Sequence, residues 1–220
     1  MTMLYISCKD IVFTDGFNEV LKGVNLDIEQ GECVSIVGHS GSGKSTFLKL
    51  LSGLISPTSG EIIVGGQSID EYKPSLYRRK VSYCFQQPYL FGRTVRDNLE
   101  FPFQIHGKQV DWHRVHELFD LFQMSHTYID KLNGDLSGGE KQRLCLIRSL
   151  INDPDVILLD EVTSALDANN TLIVESVLQH MHKEQNKTIL AITHNEEQSR
   201  RYVNRRITIE AGRIVNEEVL

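Results

Sequence analysis

The chain has 220 residues, 40% of them hydrophobic, which is enough for one large domain or for a domain carrying a sizeable subdomain. Its formal net charge of −6 leaves no basic surplus, so broad electrostatic attraction to nucleic acid or to an anionic membrane is not expected. Apolar runs such as "VILLD" are strand-sized, far short of the roughly 18 to 20 residues that span a bilayer, so the chain is not expected to cross a membrane by itself.

The start, "MTMLYISCKD", lacks a basic region followed by an extended apolar segment and does not read as a secretion signal. "LYISCKDIVF" and "VNLDI" alternate apolar and polar residues, which predicts half-exposed strands of an antiparallel sheet. "ECVSIVG" is a more apolar strand that runs into a glycine-rich loop. "KSTFLKLLSGL" then repeats apolar residues at helical spacing, "SPTSG" ends that helix, and "EIIVGGQSI" reads as a strand turning at Gly65 and Gly66. After the strand "KVSYCF" the period changes: "TVRDNLEFPFQI", "DWHRVHELFDLF" and "SHTYIDKL" read as helices. They predict an inserted helical subdomain from about Gln87 to Asn152 within a single domain spanning 1–220. "VILLDE" follows as a continuous apolar run suited to a buried parallel strand. A helix over Asn169 to Glu184, the strand "KTILAIT", a short helix and a closing hairpin turning at Ala211 and Gly212 complete the chain. The fold class implied is α/β. Cys8, Cys33, Cys84 and Cys145 are too scattered for a zinc or redox motif and read as buried reduced thiols, which suits a cytoplasmic protein. No His, Cys and carboxylate cluster suggests direct metal binding, and His106, His113, His116, His126, His180 and His182 read as surface or helix residues.

The chemistry concentrates in short motifs. Gly38, His39, Ser40, Gly41, Ser42, Gly43, Lys44, Ser45 and Thr46 form "GHSGSGKST", a phosphate-binding loop between strand and helix. Its glycines let backbone N–H groups turn inward around phosphates, Lys44 brings positive charge to the β and γ phosphates, and the Ser45 hydroxyl suits a Mg2+ ion. "VILLDE" puts Asp160 and Glu161 at the end of a buried strand, where ligands gather in α/β sheets. Asp160 suits the Mg2+ shell, and Glu161 the polarisation of an attacking water. His194 ends "LAITHN", where it could orient that water and bond the γ phosphate. "LSGGEKQR", Leu136 to Arg143, poses a puzzle, because a helix start N-capped by Ser137 is a second place to hold phosphate in one small protein.

These motifs, together with "SALD" at Ser164 to Asp167, occur in the order seen in ATP-binding cassette (ABC) ATPases, and the chain resembles that family over nearly its whole length. The resemblance implies a P-loop NTPase fold with a mixed core sheet, an N-terminal antiparallel β-subdomain and the helical insertion. It implies ATP and Mg2+ as cofactors, and it answers the puzzle: two copies pack head to tail, so that Ser137 and Gly139 of one bind the γ phosphate held by the loop of the other. Glu140 to Arg143 would mostly extend the helix. Asp167 would lie in the loop that crosses between subunits, although as a plain N-cap of the following helix it reads equally well. Gln86 matches the glutamine that links the Mg2+ and water region to the helical subdomain, with Gln87 a weaker candidate. The sequence departs from the family at Asp15, where an adenine-stacking aromatic is usual, which leaves Phe13 or Phe17 for that role. It departs again at Val162, in place of a common proline.

By the same resemblance the partners are separate integral membrane permease subunits and a second copy of the chain, with no nucleic acid expected. The protein would sit peripherally on the cytoplasmic face of the cell membrane, its permease docked near the Gln86 loop. "QQPYLFGRTVRDNLEFPFQI" resembles the ATPases of small ABC systems of the Fet type, which implies iron or metal export. Other ABC ATPases drive mechanical signalling through a membrane protein, and others act on nucleic acid. The latter usually carry coiled-coil insertions, tandem cassettes or basic surfaces, and this sequence shows none. A metabolic kinase is disfavoured by the signature stretch and by the absence of an evident acceptor pocket.

Overall fold

The computed structural model describes residues 3–193 and 201–220. In chain order the strands are β1 (Leu4–Asp15), β2 (Asn18–Glu29), β3 (Cys33–Val37), β4 (Ser59–Val64), β5 (Gln67–Ser68), β6 (Val81–Cys84), β7 (Val156–Asp160), β8 (Thr188–Ile192), β9 (Arg205–Glu210) and β10 (Arg213–Val219). The helices are α1 (Lys44–Leu51), α2 (Pro74–Lys80), α3 (Val95–Gln104), α4 (Trp112–Leu121), α5 (Gly138–Leu150) and α6 (Ala168–Gln185). The antiparallel sheet has the order β2-β1-β4-β5, and a larger mixed sheet has the order β10-β9-β3-β8-β7-β6. In the larger sheet β9, β3, β8, β7 and β6 run parallel, and only the edge strand β10 is antiparallel.

Strand periodicity explains how one sheet serves two cores. Successive side chains of β7 point to opposite faces, so Val156 and Leu158 join Phe47, Leu48 and Leu51 of α1 and Ile6 and Ile28 of the antiparallel sheet. Ile157 and Leu159 instead join Leu99 of α3, Phe119 of α4, Leu146 and Ile147 of α5, and Val174 and Val177 of α6. Each fully buried side chain of this size contributes about 1.5–3 kcal/mol. Burial on both faces is why "VILLD" reads as an unbroken apolar run.

Some expectations from the sequence shift. β1 is more buried than its alternation predicts: Tyr5 through Cys8 are all buried, because the strand lies inside its sheet between β2 and β4. Its polar groups are satisfied across the fold, with Tyr5 Oη donating to Asp155 at 2.8 Å and Ser7 Oγ to Asp27 at 2.7 Å. "SHTYIDKL" forms only a 3₁₀ turn, His126–Asp130, which buries Ile129 alone; a single apolar anchor cannot hold a longer helix. α2, with Pro74 in its first turn, goes unnoticed in the sequence because its seven residues bury one side chain, Tyr77. All four cysteines are buried free thiols, and burial pushes Cys8 and Cys33 up to about 12. The short helix expected after β8 falls largely on residues that lie outside those described. Among the described residues no helix is long and apolar enough to cross a membrane.

Candidate functional site

β3 delivers the chain into the glycine loop, and the loop's neighbours explain why it carries glycine. Gly38 and Gly43 have φ of 148° and 105°, backbone conformations that side chains rarely adopt. A Cβ at Gly38 would fall 2.1 Å from the carbonyl oxygen of Ile209 in β9, and one at Gly43 would fall 2.8 Å from Leu21 Cδ2 in β2. The loop is thus clamped between the two sheets, and Gly212 N–H adds a bond to the Ser42 carbonyl at 3.1 Å. Gly43 caps α1 without a side-chain acceptor, so the first-turn N–H groups remain available to an anion.

Lys44 is almost buried, and its ammonium donates to the carbonyls of Gly38 at 2.8 Å and His39 at 2.9 Å. Burial pulls its pKa below the ordinary lysine value, while the charges of Glu161 and Asp160 partly oppose the shift. Ser45 Oγ donates to Asp160 Oδ1 at 2.8 Å. A hydroxyl and a buried carboxylate in contact are hard oxygen donors of the kind Mg2+ takes. Within the loop the Ser42 hydroxyl is buried and has no hydrogen-bond partner among the described residues, a polar group left to meet a phosphate. The residues present therefore fit a nucleotide and its magnesium ion.

Parallel pairing of β6 with β7 brings the chain after β6 to the end of β7. The register sets Tyr83 opposite Leu158 and Cys84 opposite Leu159. Two residues beyond Cys84, Gln86 Nε2 donates to Glu161 Oε2 at 2.9 Å. The structure thus sets Gln86, expected near both water and metal, directly on the candidate base. Glu161 itself lies at φ 51°, a conformation uncommon outside glycine that recurs at functional sites. Tyr83 was not evident from sequence. Its hydroxyl donates to the second oxygen of Asp160, and burial, followed by that bond, pushes the phenol far above its ordinary pKa. Asn98 also escaped notice. Completely buried, it bonds Phe91, Thr94, Asn133 and Arg148, and so fixes the segment after Gln86 to α5.

The remaining candidates lie around this centre. His194 lies outside the described residues; β8, which leads to it, sets Ile192 opposite Asp160. Phe17 is fully exposed at the β1–β2 turn, on the hairpin whose Val20 and Leu21 touch Gly43, whereas Phe13 packs partly against the core. Ser137 caps α5 in a reciprocal capping box with Glu140 and is exposed. Gly139 contacts Asn170 of α6. Ser137 and Gly139 contact Glu140 and Asn170, which are not the residues that clamp the glycine loop. Asp167 caps α6, accepting the Asn170 N–H at 2.8 Å.

A family model described as "ABC transporter" matches residues 21–164. The chain is 42% identical over 193 residues to the "Probable iron export ATP-binding protein FetA" of Escherichia coli, across 88% of this chain and 86% of that protein. It is 39% identical over 213 residues to the "Methionine import ATP-binding protein MetN" of Geobacillus kaustophilus, across 94% of this chain and 62% of that one. Among solved structures, a dimeric ATP-binding cassette in a post-hydrolysis state, bound to ADP and Pi, superposes with a TM-score of 0.89 at 30% identity and covers 98% of both chains.

Proposed function

This chain belongs to the ABC transporter family and is an ATPase that uses ATP with Mg2+, and on that premise we propose that it hydrolyses ATP between two copies packed head to tail and so drives a separate membrane permease. The observation that carries the reading is the bond from Gln86 to Glu161 beside the Ser45–Asp160 pair. It joins the residues proposed for water activation to those proposed for the metal at the C-terminal end of the parallel strands.

In this reading Ser45 and Asp160 would hold the cation, with Gln86 close by, and a bound Mg2+ would supply neutralisation of phosphate charge. Residues 38–46 cradle the phosphates through backbone N–H groups, and Lys44 turns its ammonium from the loop carbonyls to the phosphate oxygens. Glu161 accepts the proton of the attacking water, held in place by the Gln86 amide, and His194 orients that water. Phe17 stacks on adenine. Ser137 and Gly139 of the second copy cover the γ phosphate, so its loss removes the contacts that hold the dimer shut.

Glu161→Gln keeps an oxygen for the Gln86 amide to donate to while removing the base. It is expected to bind MgATP normally but to turn over at least ~100-fold more slowly, in line with loss of general base catalysis. Single-turnover kinetics at wild-type rate would refute the assigned base.

We further propose that the permease docks by cytoplasmic helices in a groove of about 320 Å³ beside Gln86, lined by Phe85, Tyr89, Phe101 and Ile105. All four side chains are exposed, and they offer an apolar seat for an amphipathic helix. The protein would then work peripherally at the cytoplasmic face of the cell membrane. Similarity to FetA over most of both chains supports iron or another metal as cargo, moved outward, with cargo contacts in the membrane subunit. Co-purifying that subunit and reconstituting it in vesicles with the ATPase face outward tests this. MgATP is expected to drive ferrous ion into the lumen, and a vesicle that hydrolyses ATP while iron stays outside rejects the cargo.

A further inference from the structure

Gly139 is a glycine for an unusual reason. It lies in the first turn of α5 with ordinary helical backbone, not among the residues of positive φ, so conformation does not demand it. Its neighbour Gly138 has open space where a Cβ would go, whereas a Cβ at Gly139 would stand 2.7 Å from Nδ2 and 2.9 Å from Cγ of Asn170. A contact of 2.7 Å requires something to move, and Asn170 is not free to do so. Its backbone N–H and its side-chain amide both donate to Asp167, at 2.8 Å and 2.7 Å. Pushing the amide aside breaks the bond to Asp167 Oδ2 and disturbs the loop Ser164–Asp167 that precedes α6.

We propose that Asn170 is a positioning residue, a steric stop held by Asp167 against the bare face of Gly139, which fixes the start of α5 to the loop before α6 so that both present to a second copy as one rigid edge. The bonds from Asn170 lead the causes that hold the Asp167 carboxyl below the usual carboxylate range, as expected of a tight clasp. The proposal rests on the reciprocal-site reading, because its purpose is to keep Ser137 and Gly139 in register for a nucleotide held by another copy.

The test is a double-mutant cycle between Gly139→Ala and Asn170→Ala in the Glu161→Gln background, read by ATP-dependent dimerisation in sedimentation and by nucleotide affinity of the monomer. Asn170→Ala alone is expected to weaken dimerisation several-fold with monomer affinity unchanged. Gly139→Ala is expected to abolish dimerisation, and adding Asn170→Ala is expected to restore at least ~10-fold of what was lost, within the range of coupling between residues in contact. Additive effects, or a parent-like Asn170→Ala, overturn the clasp. If the Glu161→Gln parent itself stays monomeric, the reciprocal reading fails, and hydrogen exchange of the ATP-free monomer decides the clasp alone. Asn170→Ala should then speed exchange at the amides of Glu140 and Lys141, both bonded to Ser137, at least ~5-fold, and unchanged exchange there disproves the contact's role.

Discussion

Lys44 shows how one side chain is placed for the phosphate proposed to bind it. Among the described residues its ammonium donates to the carbonyls of Gly38 and His39, and burial depresses its pKa despite the nearby carboxylates. Phosphate oxygens would favour the charged form and raise it. With a lower value free than bound, MgATP affinity should be constant below the free-state pKa and should decline as pH rises between the two. A fluorescence titration from neutral pH to about 10, the alkaline limit set by ordinary lysine ionisation, checks this, with Lys44→Arg as the control. Guanidinium does not titrate there, so any loss of affinity in the arginine variant matching the wild type would assign the decline elsewhere. The same scale shows what sequence could not supply. Tyr83 and Asp160 are 77 positions apart, and nothing local to either names the other.

At the scale of elements, α3 shows a helix start that matters to the site without touching it. Thr94 and Asp97 form a capping box, and Asp97 also accepts from the Arg93 N–H at 2.7 Å. One turn on, Asn98 fixes the segment that follows Gln86. Thr94→Ala should cost about 1 kcal/mol, a fall of about 2–4 °C in melting temperature for a chain of this size, with MgATP affinity unchanged. The backbone bonds of Thr94 and Arg93 hold the Asp97 carboxyl below its ordinary pKa. Its stabilising effect is therefore present above the unfolded value and lost as pH falls through the folded one. The difference in melting temperature between Asp97→Ala and wild type should shrink in acid, and an unchanged gap would place the effect outside the box. Helix identity was legible here from apolar spacing, whereas the 3₁₀ turn at 126–130 and the short α2 bury too little for a pattern to show.

At the scale of the whole molecule, the parallel strands of the larger sheet gather the glycine loop after β3, Gln86 beyond β6 and the acids at the end of β7 at the C-terminal ends of the strands, while Ser137, at the start of α5, is exposed. In the proposed reading these are two halves of one site on separate surfaces, which a second copy would close. Light scattering of Glu161→Gln is expected to show a doubled mass with MgATP and a monomer after chelation of magnesium. A variant that stays monomeric at saturating MgATP would remove the head-to-tail arrangement and with it the role of the signature start.

The sequence by itself determined the features that local chemistry writes. These are the glycine loop between strand and helix, the acids closing an apolar strand, the capped start of α5 and the change from strand to helix period after β6. Each is encoded within a few residues, by backbone freedom, side-chain period or a hydrogen bond within one turn. Tertiary structure alone decided which of those pieces meet. The bonds from Gln86 to Glu161 and from Ser45 to Asp160 span 75 and 115 positions, and Asn170 reaches Gly139 from another helix. Strand register and helix packing set such contacts, and these depend on how two cores fill on either face of one sheet, information spread over the whole chain.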